Sequence, residues 1–161
     1  MTVEVERGTL EVAFPSTQWF EALAGLMHEQ KEAFAKIGDI DCVMQVTIVD
    51  GTKSEEPWSC QVTFEEFSVA EIREVGSDEL DRADFILETD LDTWQEMVDS
   101  IVAGGGTPDL DHTLNRLSLP GVPIRLWGVD PVRRDAYYRF NQTLQRYINN
   151  CASLRTVWTR V

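Results

Sequence analysis

The chain has 161 residues, 43% of them hydrophobic, and carries a formal net charge of −14. This length suits a single domain, which buries roughly 68–70% of its unfolded surface. The excess of acid argues against a nucleic-acid partner, because affinity for phosphate backbones comes from clustered Lys and Arg.

The first 13 residues predict an N-terminal arm, because residues 3–6 and 10–14 alternate only weakly between apolar and polar side chains. Pro15-Ser16-Thr17 predicts the start of a helix and Gly38 its end. The apolar residues between them recur at helical spacing: Trp19, Phe20, Leu23, Leu26, Met27, Phe34 and Ile37.

Four strands are predicted next. Residues 42–49 alternate with period two, and Asp50-Gly51 begins a turn. Residues 58–65 form the clearest half-buried strand pattern, 69–75 a third strand, and 83–89 a fourth after an acidic loop.

The second half of the chain predicts helices around one more strand. Asp90 suits an N-cap, and Gly104-Gly105-Gly106 ends the helix behind it. A short helix over 107–117, with Leu110, Leu114 and Leu117 facing inward, precedes a fifth strand over 122–128. Asp130-Pro131 begins a helix of roughly 20 residues, about 30 Å long.

This order of elements predicts an α+β fold, with a mixed sheet of about five strands covered by helices on one face. The early strands are adjacent in sequence and suit hairpins. The last strand arrives through a helical crossover.

The order and spacing of these elements resemble the sterol carrier protein 2 (SCP2-like) family over about residues 14–152. The residues that carry the resemblance are Phe14-Pro15-Ser16-Thr17-Gln18-Trp19, the segment from Ala83 to Asp90 leading into Trp94, the helical segment 110–117, Ile124-Arg125-Leu126-Trp127-Gly128, and the closing helix with Tyr138, Phe140 and Leu144.

The resemblance implies a five-stranded sheet and helices that enclose an apolar tunnel for a fatty acyl, acyl-CoA, sterol or isoprenoid ligand. It also implies no metal, no bound redox cofactor and no catalytic triad. The corresponding domain organisation is an arm at 1–13, an SCP2-like lipid-binding domain at 14–152 and a C-terminal tail at 153–161.

We therefore predict a small non-enzymatic protein that binds an apolar small molecule or lipid and needs no cofactor. Arg125 or Arg134 is placed to meet a carboxylate or CoA phosphate at the mouth. A filled core needs the same apolar stripe as a pocket, so periodicity does not separate the two. The predicted wall residues are Phe20, Leu23, Met27, Trp94, Val98, Ile101, Leu114, Leu126, Tyr137, Phe140 and Leu144.

Charge is unevenly distributed along the chain. Residues 131–161 contain six Arg and one acid, whereas the first 130 residues contain 8 bases and 27 acids. Either this basic end lies against the acidic body of its own domain, or it forms a docking face for an anionic lipid surface or an acidic partner.

Cys42, Cys60 and Cys151 are odd in number and widely spaced, which predicts buried, unpaired thiols in a reducing compartment. No apolar run approaches the ~20 residues of a membrane span, and the start lacks the pattern of a signal peptide. We expect a cytoplasmic protein whose contact with membranes is at most transient.

Other functions rest on fewer residues. A cavity enzyme of the cyclase or isomerase type requires His28, Asp90 or His112 to face the pocket. Asp109, Asp111 and His112 are potential metal ligands, but acids at the start of a solvated helix explain them equally well.

The glycines at 104–106 follow a helix, whereas a phosphate-binding loop precedes one. A noncatalytic accessory subunit, docked through the last helix or the arm, and a homodimer formed through the termini remain alternatives.

Overall fold

The computed structural model describes residues 10–50 and 56–159. The alternation predicted for residues 3–6 lies outside the described residues, as does Gly51 of the predicted turn. The strands are β1 (Leu10–Phe14), β2 (Ile40–Ile48), β3 (Trp58–Glu66), β4 (Ser68–Glu74), β5 (Phe85–Thr89), β6 (Arg125–Trp127) and β7 (Leu154–Trp158).

The helices are α1 (Thr17–Glu29), α2 (Lys31–Ile37), α3 (Leu91–Ala103), α4 (Leu114–Leu117), α5 (Pro131–Arg134), α6 (Ala136–Arg139) and α7 (Asn141–Asn149). The described residues also contain 3₁₀ turns at Ser77–Arg82 between β4 and β5, Leu110–His112 between α3 and α4, and Asn150–Ser153 between α7 and β7.

Five strands form one mixed sheet in the order β4-β3-β2-β5-β6. The β2–β5 pair is parallel, and the β2–β3, β3–β4 and β5–β6 pairs are antiparallel. The predicted α+β class and the five-stranded mixed sheet are therefore confirmed.

The two faces of the sheet differ in chemistry. In β2, Cys42, Met44, Val46 and Ile48 are buried against the helices, as the alternation predicts. The opposite face of β2 and β3 carries Gln45, Thr47, Ser59 and Gln61, which are also buried.

These four polar side chains satisfy one another. Gln61 Nε2 donates to Gln45 Oε1 over 3.0 Å and to the carbonyl of Glu79 over 2.8 Å. Gln45 donates to Thr47 over 3.1 Å, and Thr47 bonds Ser59 over 2.9 Å. Burial of this polar row is tolerated because its hydrogen bonds are made internally.

The ends of the described chain pair with each other. Strands β1 and β7 form a separate parallel pair, in register from Leu10 opposite Leu154 to Phe14 opposite Trp158. Trp19 Nε1 donates to Thr156 Oγ1 over 3.0 Å, and the Phe14 ring meets Trp19 edge-on at 4.8 Å. Residues 10–13 of the predicted arm and 154–158 of the predicted tail are therefore joined to the core.

Helix starts agree with the sequence prediction. The Ser16 side chain accepts from the Trp19 N–H over 3.1 Å, and Asp90 accepts from the Thr93 N–H over 2.8 Å. The first helix is divided at Gln30 into α1 and α2, and Gly38 ends α2 with φ of 127°.

The prediction of one continuous helix from 131 to 151 is wrong. The segment consists of α5, α6 and α7, separated at Asp135 and Phe140 and followed by a 3₁₀ turn. Residues 137–143 are Tyr, Tyr, Arg, Phe, Asn, Gln and Thr, most of which have weak helix propensity. Packing of the aromatic rings therefore competes easily with regular helix geometry here.

Two further segments are shorter than predicted. The helix expected over 107–117 is a 3₁₀ turn followed by α4, and Leu110 is 87% exposed instead of inward. Thr113, which is extended, caps α4 and separates the two. The fifth strand is limited to Arg125–Trp127, because Pro123 has no N–H to donate to a ladder.

Tyr147 ties α7 to α1 through a buried hydroxyl that donates to the Phe20 carbonyl over 2.7 Å. We expect Tyr147→Phe to lower the free energy of unfolding by about 0.5–1.5 kcal/mol, because one buried hydrogen bond is lost while the Phe20 carbonyl keeps its partner within α1. Urea denaturation measures this. Tyr138→Phe is the matched control, since Tyr138 is 59% exposed; equal effects of the two substitutions would contradict the assignment.

Candidate functional site

The predicted wall residues come together in one apolar layer between the sheet and the helices. Nine of the eleven are buried core residues, and Leu126 and Phe140 are partly buried against the same core. They come from α1, α3, α4, β6 and the segments after Asp135. The apolar layer is therefore continuous across both halves of the described chain.

Aromatic rings form the end of the apolar layer nearest to β1 and β7. Phe14 lies 5.1 Å from Trp94, and Trp94 meets both Trp19 and Phe20 edge-on at 6.0 and 6.2 Å. Trp94 Nε1 is buried and has no hydrogen-bond partner among the described residues. A buried donor without a partner destabilises the fold. The Trp94 indole N–H is therefore free to donate to an acceptor that enters the layer.

The two buried tyrosines behave differently from Trp94. Tyr137 O–H lies 2.8 Å from Ser118 Oγ, and Tyr147 is bonded to the Phe20 carbonyl. Burial raises the pKa of both phenols, that of Tyr147 strongly. Both remain neutral hydrogen-bonding groups at physiological pH.

A cavity of about 460 Å³ opens where the apolar layer reaches the surface beside β6. The turn at 118–122, Ile124 and Tyr138 line it. Leu126, Arg125 and Arg134 also line this cavity, so the structure brings together one predicted wall residue and both arginines predicted for the mouth. We call this space the β6 cavity.

The two arginines of the β6 cavity differ in their partners. The Arg125 guanidinium lies 3.6 Å from Glu88 Oε2 and 4.8 Å from the centre of the Trp127 ring. Arg134 reaches Asp135 only at 4.0 Å, and its buried Nε has no acceptor among the described residues. Arg134 is therefore the arginine with donor capacity left for an anion.

Asp84 positions the helix that carries Arg134. Its Oδ2 accepts from the Val43 N–H over 2.7 Å and its Oδ1 from Arg133 Nε over 2.8 Å. The Arg133 guanidinium also donates to the carbonyls of Asp81 and Arg82. The sequence analysis did not predict this contact between Asp84 and Arg133. An acid at the start of the largely apolar stretch 83–89 is the feature that could have indicated it.

Gly128 allows β6 and α5 to approach. A Cβ atom at this position would lie 2.9 Å from the Asp84 carbonyl oxygen and 3.2 Å from Arg134 Cβ. Only glycine fits at position 128 without displacing the backbone between β6 and α5.

Some arginines of the basic end lie against the acidic body of the domain, and others do not. Arg133 contacts Asp84 and Arg155 lies 3.1 Å from Glu11, so these two lie against acids of the body. Arg139 and Arg146 have no carboxylate within 4.0 Å among the described residues.

The residues proposed for catalysis have local structural roles or lie at the surface. His28 is exposed on α1, and Asp90 caps α3. His112 Nδ1 lies 2.7 Å from Asp109 Oδ1, which also accepts from the Asp111 N–H. Over residues 10–50 and 56–159, no group of three His, Cys, Asp or Glu side chains is arranged to hold a metal ion.

Glycines 104–106 end α3, as predicted. The Gly104 and Gly106 N–H groups donate to the Ser100 and Ile101 carbonyls, and Gly105 and Gly106 have positive φ. This is a helix C-terminus and not a cradle for phosphate.

All three cysteines are buried and free, as predicted. Burial raises the pKa of the Cys42 and Cys60 thiols strongly and that of Cys151 to about 12, which keeps them protonated. In the part of the chain that the structure covers, no helix combines the length and hydropathy needed to cross a bilayer.

Two solved structures share this architecture. One is the crystal structure of sterol carrier protein 2, with a TM-score of 0.58 and 18% identity over 84% of this chain and 94% of that chain. The other is the solution structure of a conserved hypothetical protein from Thermus thermophilus, described as a possible sterol carrier protein. Its TM-score is 0.54, with 19% identity over 85% of this chain and 88% of that chain.

The chain therefore has the SCP2-like fold. No family model matches the sequence, and no curated protein matches it significantly.

Gly128→Ala is expected to destabilise the protein by about 1–3 kcal/mol, because the added methyl group forces the backbone and Arg134 apart. Gly25→Ala is the matched control, since a Cβ on Gly25 would have nothing within 4 Å. Thermal and urea unfolding measure both variants. A Gly128 variant as stable as wild type would show that the approach of β6 and α5 is not tight.

Proposed function

We propose that the protein is a non-enzymatic binding protein that holds an apolar ligand with an anionic head between the sheet and its helical cover. One observation carries this proposal: wall residues chosen from the sequence alone form a continuous apolar layer that reaches the surface at the β6 cavity. The SCP2-like fold supports it, because both structural neighbours are described as established or possible sterol carriers.

Burial of the apolar part of the ligand supplies the driving force. Each buried CH₂ contributes about 0.8 kcal/mol, so a long acyl chain provides several kcal/mol even after the costs of ordering and of opening the layer. The wall side chains now touch one another, so the ligand replaces these contacts when it enters. The net affinity is the difference between the two sets of contacts.

The breaks in the helical region after Asp130 provide a route by which the ligand enters the layer. The breaks at Asp135 and Phe140 divide the last helical region into short pieces, each with few backbone hydrogen bonds of its own. Phe140 and Leu126 are already partly exposed at this edge. We infer that α6 moves away from the turn at 118–122 and that Tyr137 releases Ser118 as it does so.

Arg134 receives the head of the ligand. A guanidinium edge with an unused donor recognises a carboxylate through charge-assisted hydrogen bonds. Arg125 is already engaged by Glu88 and Trp127 and contributes mainly long-range charge. Trp94 Nε1 offers a donor to an oxygen within the ligand body.

The termini carry a second candidate, a protein-docking or self-association surface. Leu10 and Val157 are exposed on the β1–β7 pair, at 57% and 44%. Exposed apolar side chains on a sheet that has only two strands among the described residues favour pairing with another chain. Sedimentation analysis distinguishes this from binding of a small molecule.

Titration with a fluorescent fatty acid tests the proposal. Wild-type protein is expected to bind it, and Arg134→Gln to weaken binding by roughly tenfold, as expected for one lost charge-assisted bond. The methyl ester of the same acid should bind wild type and the variant equally, because it carries no charge for Arg134.

Arg116→Gln is the matched control, since Arg116 is exposed and does not line the β6 cavity. Absence of binding by wild type would exclude an acyl ligand. Equal binding of the acid by wild type and the Arg134 variant would show that the head of the ligand does not bind in the β6 cavity.

A further inference from the structure

Four basic side chains stand apart from the rest. Every arginine that the structure describes, except Arg139 and Arg146, has a carboxylate within 4.0 Å. Lys31 and Lys36 likewise have no carboxylate within that distance among the described residues. In a chain with 28 acids and 14 bases, unpaired bases need an explanation.

These four side chains share one surface. A cavity of about 890 Å³ between the α1–α2 junction and α7 is lined by Lys31, Lys36 and Arg146. A second cavity, of about 700 Å³, adjoins it and is lined by Arg139 and Arg146. Ile37, Gln142 and Arg146 line both, so the two form a single concave surface, which we call the basic groove.

The second of these cavities has no acidic residue in its wall. Besides Ile37 and the two arginines, its lining residues carry amides or hydroxyls: Thr113, Asn115, Tyr138, Asn141, Gln142, Gln145 and Asn149. The first cavity is also lined by Glu29 and Glu32. The wall of the second cavity thus has neutral hydrogen-bonding groups and positive charge only.

Aromatic rings support the two guanidinium groups. The Arg146 guanidinium lies 5.7 Å from the centre of the Phe34 ring, and that of Arg139 lies 5.2 Å from Phe140. A guanidinium stacked on a ring keeps its N–H edges free for a bidentate acceptor. The two arginines line the same cavity, so a single small ligand can contact both.

We propose that the basic groove binds a small ligand that carries two or more phosphate groups. Two guanidinium groups in one cavity suit a ligand with at least two phosphates, because each guanidinium forms paired hydrogen bonds with a phosphate. Each cavity lies in the range of about 300–1,000 Å³ that is typical of small-molecule sites.

A long polyanion fits less well, because the acidic body around the basic groove repels it. The phosphates belong either to a soluble compound or to the headgroup of a lipid. The proposal goes beyond apolar binding, since it holds whether or not the apolar layer admits a ligand.

Calorimetric titration of the full chain with pyrophosphate tests this assignment. Wild type should bind pyrophosphate more tightly than inorganic phosphate. The double variant Arg139→Gln/Arg146→Gln should lose roughly tenfold in affinity for each arginine removed. Both side chains are exposed, so the fold should be retained, and the melting temperature checks this.

The matched control is Arg82→Gln/Arg155→Gln, which removes the same charge at exposed positions outside the basic groove. It should bind pyrophosphate as wild type does, within about twofold. An equal loss of pyrophosphate affinity in both double variants would show that the effect comes from the overall charge of the protein. This result would overturn the proposal.

Flotation with phosphatidylcholine vesicles, with and without a phosphatidylinositol phosphate, separates the two sources of phosphate. Binding to pyrophosphate alone identifies a soluble ligand, and arginine-dependent binding to the doped vesicles identifies a headgroup. Each result supports the basic groove as a phosphate site. No binding by wild type in either experiment overturns it and leaves an acidic protein partner as the alternative for this surface.

Discussion

The apolar face of the sheet must be buried, and the helices are arranged to bury it. The core faces of β2, β3 and β5 are lined with apolar side chains, and helices from both halves of the chain must cover them. The cover is therefore assembled from α1, α3 and the segmented helices after Asp130. Tyr147, Asp84 and the β1–β7 pair join these pieces at separate points.

In the binding mode that we propose, stability and ligand binding depend on the same apolar layer. The side chains proposed as the ligand wall are the same ones that hold the helices to the sheet. Leu144→Ala is therefore expected to change both properties, whereas a change at Arg134 is expected to act mainly on the ligand head. The weak helix propensity of the segment around Phe140 favours it as the place where the proposed opening occurs.

Charge is organised separately from the apolar layer. The arginines in contact with the body, such as Arg133 and Arg155, are paired with acids and complete the fold. Among the described residues, the bases without a carboxylate within 4.0 Å are gathered in the basic groove. A protein with a net charge of −14 thus has a localised basic surface.

Much of the fold is predictable from local patterns. Alternation in residues 42–48 and 58–64 defines the central strands, and Ser16, Asp90 and Gly38 mark helix boundaries through their own backbone chemistry. The pairing of β1 with β7 is not predictable, because it joins chain ends through weak patterns. The breaks at Asp135 and Phe140 also escape prediction, since the apolar periodicity continues through them.

The candidate site divides in the same way. Apolar wall positions follow from periodicity, but their partners do not: nothing local shows that Trp94 Nε1 lacks an acceptor or that Arg134 shares a cavity with Leu126. The charge count of residues 131–161 indicates a basic end. Only the tertiary structure separates its paired arginines from its free ones.

Native mass spectrometry of the purified full chain, before and after organic extraction, detects a ligand held in the apolar layer. We predict an added mass of one apolar molecule that extraction removes and identifies. A protein that carries no such mass, and takes up none when incubated with fatty acids, would show that the layer is a filled core and would contradict the proposed binding function.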